Sequence, residues 1–100
     1  EEWMSGYDAV LSPVLSGPVP KLGHLNPGLA IGEILPRLRE LVAFTPLNNA
    51  AGSPGLTMPI GLDAHGLPRS VQLSGRLGSE RTLLEIGYEI EAAGLMPAIY

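Results

Sequence analysis

Nucleophilic catalysis by a serine and a lysine needs a neutral lysine placed to take the serine's proton. The chain offers one lysine, Lys21, with Ser16 five residues ahead of it. Gly17, Pro18, Pro20 and Gly23 surround the pair, so no helix aligns them. Lys21 therefore reads as a solvated loop charge, the usual fate of lysine. His24 and His65 lack a histidine four residues on, an H-E-x-x-H motif or any cysteine partner, so no metal site is expected. Asp63 and His65 share a polar turn, which explains both. A Ser-His-Asp triad assembles in space, but no G-x-S-x-G elbow signals one. Glycine-rich phosphate loops are missing as well, and no cofactor is expected.

Three amides are the remaining candidates. Asn48 and Asn49 stand near a bend at Gly52-Ser53-Pro54. Asn49 is expected to bond the bend, while Asn48 is open between the bend and a pocket. Gln72 lies between apolar neighbours on an extended segment. It is either an ordinary polar-face residue or a buried amide whose bonds must be satisfied.

Composition narrows the partners. Net charge is −4, and no basic run exists to neutralise phosphates, so nucleic acid is not an expected partner. No apolar run approaches the roughly 20 residues of a membrane span. The cytoplasm is the expected setting. Charged residues are 16% of the chain, against about 25% in ordinary soluble domains, which suggests that other protein covers some of the surface.

The elements that must position these side chains follow from periodicity and punctuation. Residues 7–13 read as a buried strand ended by Pro13. Residues 14–31 form a proline- and glycine-rich loop with enough apolar side chains to pack against something. Ile34, Leu35, Leu38, Leu41 and Val42 predict a helix over 31–43, with Pro36 near its first turn. Thr45-Pro46 predicts a cap and a short helix over 46–51, stopped by Gly52. Residues 55–61 and 68–75 read as a hairpin around a polar turn at 63–66, with Leu56, Met58 and Ile60 on one face of the first strand. Ser79 predicts the cap of a final helix over 79–93, closed by Gly94. Gly87 in its middle suggests close approach of another backbone. The expected fold class is α/β: a mixed sheet with a β-hairpin and flanking helices, in one segment over residues 1–100.

Residues 44–75, FTPLNNAAGSPGLTMPIGLDAHGLPRSVQLSG, carry an N-x-x-G-x-P…P…G-L-P-x-x-x-Q pattern. The pattern resembles the C-terminal portion of amidase signature enzymes. Tyr7-Asp8 and Pro13 resemble the family's Y-D-x-x-x-x-P strand, and Glu80 with Leu83-Leu84 resembles the opening of its last helix. The likeness implies an amidase acting on carboxylic amides through serine attack, an oxyanion held by backbone N–H groups, and an acyl-enzyme. In that family the nucleophile, a relay serine and the lysine lie upstream of this region. The resemblance therefore implies no catalytic residue in this chain. It assigns Phe44, Thr45 and Asn48 to the substrate-pocket wall, with core packing the other reading of Phe44, and Asn49, Gly52, Pro54 and Gln72 to the structural motif. It makes the remainder of the parent chain and a small amide the partners, with self-association through uncovered apolar surface. Glu1 in place of methionine fits the same expectation. The rival reading is an independent amidase-like scaffold module without catalysis.

Overall fold

A computed structural model describes residues 2–96 of the 100. A 3-10 turn at Glu2–Met4 is followed by strand β1 (Val10–Pro13), helices α1 (Ile31–Leu41) and α2 (Pro46–Ala51), the hairpin β2 (Gly55–Leu62) and β3 (Pro68–Ser74), and helix α3 (Glu80–Ala92). The α/β class holds. The strands lie in the order β1-β3-β2, and both pairings are antiparallel, so no parallel pair occurs among the described residues. β1 begins later than the sequence suggests, at Val10.

Register assigns the faces, because side chains alternate across a strand. Leu11, Leu73 and Leu56 are cross-strand neighbours, and Pro13, Val71 and Met58 form the next row on the same face. α3 lies over this face. Leu83 is 2% exposed, and Leu73, Met58 and Met4 complete the buried apolar set. Gly87 is buried because a Cβ there would stand 2.8 Å from Leu56 Cδ2 and 3.2 Å from Met58 Sδ. The close approach expected at Gly87 is real, but side chains make it, not a backbone. The opposite face carries Ser12, Gln72 and Thr57 in one row, and Val10, Ser74 and Gly55 in the next.

Several local expectations are corrected by longer-range geometry. Ile60 does not continue the buried face: the register slips between Pro59 and Gly61, and Ile60 is 40% exposed. Thr45 precedes α2 with helical dihedrals (φ −63°, ψ −32°) and makes no side-chain cap bond. The hydroxyl of Ser79 donates to the Arg76 carbonyl at 2.7 Å and does not cap α3. Pro36 lies in the second turn of α1, where it withholds one intrahelical donor. Gly52 does stop α2, in the left-handed region at φ 66°.

The β2–β3 turn is built on Asp63. Its Oδ1 accepts from the amides of His65 (2.8 Å) and Leu67 (2.9 Å), and Gly66 adopts φ 77°. These two amides, Leu67 foremost, hold the Asp63 carboxyl below its ordinary value, with smaller help from His65 and Arg69. A depressed carboxyl stabilises the fold above its unfolded pKa and loses that contribution as pH falls through its folded pKa. An NMR titration is expected to show Asp63 protonating below the ordinary aspartate range, with the His65 and Leu67 amide shifts moving at the same midpoint. An ordinary midpoint would contradict this turn.

The whole is thin. Its principal extents are 42 × 36 × 16 Å and its radius of gyration is 15.7 Å, against about 13 Å for a compact chain of this length. No residue of α1 is buried, and Leu35 and Leu38 on its apolar stripe stand partly in the open.

Candidate functional site

The most ordered polar feature lies where α2 meets the Gln72 face of the sheet. Gln72 is 5% exposed, the one buried polar residue among those described. Its Nε2 donates to Asn48 Oδ1 at 2.8 Å and to Ser74 Oγ at 3.2 Å. Ser74 Oγ donates to the same Asn48 oxygen at 3.0 Å. Asn48 Nδ2 in turn donates to the Pro54 carbonyl at 3.1 Å, which also accepts from the Gly75 amide at 3.0 Å. Asn48 thus joins the short helix, the bend and the central strand. Close approach is possible because Gly55 lacks a side chain: a Cβ there would stand 3.0 Å from Asn48 Nδ2.

Asn48 and Gln72 are therefore brought together, and Pro54 enters through its carbonyl. Gly52 supplies the helix stop. Asn49 takes the reverse of its expected role: it is exposed and makes no side-chain hydrogen bond, because it lies one position further round α2 than Asn48. Phe44 is 38% exposed, so packing in this chain's core is not its role. Thr45 is half-buried beside it at the start of α2. Ser74 is the member of the network that sequence reasoning misses. The polar alternation Ser70, Gln72, Ser74 is the available signal, since it marks a strand face that needs hydrogen-bond partners.

A second feature is the 14–25 loop. Ser16 ties it to the end of α1, its amide donating to the Leu41 carbonyl at 3.2 Å and its Oγ accepting from the Ala43 amide at 3.4 Å. Arg37 ties the far part of the loop, Nη1 donating to the His24 carbonyl at 3.0 Å. Clefts of about 420 and 740 Å³ lie beside this loop, with residues 16–19 lining both.

Among the described residues, no hydrogen bond joins a serine side chain to Lys21 or to either histidine. No group of three His, Cys, Asp or Glu side chains there could hold a metal ion. No helix there is long and apolar enough to cross a membrane.

The family model described as Amidase matches residues 1–84. A protein named "Putative amidase AmiC" from Mycobacterium leprae is 34% identical over 92% of this chain and 19% of its own length. A protein named "Putative amidase" from Synechocystis is 35% identical over 89% of this chain and 17% of its own length. The 6-aminohexanoate-cyclic-dimer hydrolase of Paenarthrobacter ureafaciens is 30% identical over 91% of this chain and 20% of its own length. No solved structure matches. The chain spans about a fifth of the length of these curated relatives. With the family model covering most of its residues, the chain belongs to the amidase family.

Proposed function

We propose that this chain is the C-terminal part of an amidase that cleaves the C–N bond of carboxylic amides, giving an acid and ammonia or an amine. The chain supplies scaffold and part of the substrate pocket, and the groups that make and break bonds come from the rest of the polypeptide. Phe44 and Thr45 form the wall it presents to the acyl group, and Asn48 fixes that wall by holding α2. The cytoplasm is the setting proposed with this reading.

One observation carries it. The chain exposes 7350 Å², whereas a compact monomer of its mass exposes about 5,400 Å². Large apolar side chains contribute to it: Trp3, Tyr7, Leu11, Leu22, Ile31 and Leu47 are each more than 60% exposed. Exposure of so many large apolar side chains supports a chain that other protein covers in part. Family membership supports the chemistry, as do relatives named as an amidase and a cyclic-dimer hydrolase.

The test compares the purified chain with the longer polypeptide that carries it. The longer polypeptide is expected to hydrolyse simple carboxamides. The chain alone is expected to show no turnover above buffer and to self-associate in sedimentation. Turnover by the chain alone, lost on replacing one of its own serines, would overturn the reading; a tight, inert monomer would favour the scaffold module.

A further inference from the structure

We propose that the larger cleft, between the 14–25 loop, α1 and the hairpin turn, binds a small aliphatic carboxylate. The chain as a whole is acidic, yet this cleft gathers Lys21, Arg37 and both histidines against one acid, Glu40. The only ion pair among the described residues is Arg81 with Glu85 on α3, so neither Lys21 nor Arg37 has a carboxylate partner there. Arg37 is half-buried, and a charge partly removed from water is stabilised by a counter-ion. One of its five N–H donors is used, by the His24 carbonyl. That bond fixes the guanidinium against the loop and leaves its other donors for a planar carboxylate, the acceptor its geometry matches best.

The remaining lining sets the rest of the ligand. Val19, Leu41 and Leu67 give the cleft apolar walls, and about 740 Å³ accommodates a short hydrocarbon tail. Phosphate fits less well. No glycine-rich loop lies there, and Arg37, Glu40 and Leu41 come from the C-terminal half of α1, whose negative end opposes a dianion more than a monoanion. The inference rests on this cleft alone and is independent of whether the longer polypeptide hydrolyses amides.

Titration calorimetry of the polypeptide that carries the chain, with hexanoate and the neutral, non-hydrolysable hexanol, tests it. Hexanoate is expected to bind at least about tenfold more tightly than hexanol, and more weakly as salt rises. Arg37→Gln is expected to weaken hexanoate about tenfold or more and leave hexanol unchanged, with Arg37→Lys recovering part of the loss. Lys21→Gln, an exposed side chain without a hydrogen bond, is expected to cost a few-fold without disturbing the fold. Equal affinity for the two probes would overturn the proposal, as would hexanoate binding indifferent to both Arg37→Gln and Lys21→Gln. Absence of hexanoate binding would overturn it too, a result expected if Arg37 is already paired with a carboxylate from elsewhere in the polypeptide.

Discussion

Leu83→Ala is expected to destabilise the folded chain by about 2–5 kcal/mol, the largest effect of any single truncation in it. Leu83 is 2% exposed, and only Met4, Met58 and Leu73 are buried with it among the apolar side chains described. Removing it leaves a cavity between α3 and the sheet that neighbours fill only in part. The site cannot collapse easily, because Gly87 already brings Leu56 and Met58 against the helix one turn further on. Leu84, the next residue, is 51% exposed and provides the control: Leu84→Ala is expected to cost well under half as much. Urea unfolding of both variants measures the difference. Equal losses would mean that α3 does not hold the sheet through Leu83.

The second large effect is expected at the amide network, where the informative quantity is a coupling. Asn48→Ala strands the buried Gln72 amide with Ser74 as its one remaining partner and releases the Pro54 carbonyl from α2. Gln72→Leu leaves the Asn48 oxygen with Ser74 alone. Each is expected to cost about 1–3 kcal/mol, the penalty for leaving a buried polar group short of a partner. Once either partner is gone, losing the other removes little more. The double variant is therefore expected to fall short of the sum of the singles by about 1 kcal/mol or more. Asn49→Ala is the internal comparison, and because its side chain is exposed and unbonded, a change within about 0.5 kcal/mol is expected. Strict additivity of Asn48 and Gln72, measured by the same unfolding, would dissolve the network as a unit.

These residues also show what the amino-acid order discloses. The hairpin and all three helices can be read because their signals are local: alternation in 55–61 and 68–75, a helical stripe in 31–43 and 79–93, and Gly52 and Gly94 as stops. The choice between Asn48 and Asn49 cannot be. It depends on which side of a six-residue helix meets β3, and that is set by a strand more than twenty residues away. Caps fail for a related reason. Ser79 has a competing acceptor in the Arg76 carbonyl, and Thr45 enters α2 already helical, so neither side chain reaches a helix N–H. Met4 is silent in the sequence because a lone methionine in a 3-10 turn carries no periodicity. The family pattern, by contrast, is legible in full, since it consists of the glycines, prolines and amides that set the bends.

The slip at Ile60 makes the two margins of this sheet unlike. Beside Pro59, it interrupts the outer margin of β2, so an approaching strand finds no unbroken row of donors and acceptors there. β3 is already flanked on both sides. β1 pairs with β3 without such a slip, so of the two margins the outer side of Val10–Pro13 is the less interrupted one for pairing with a further strand.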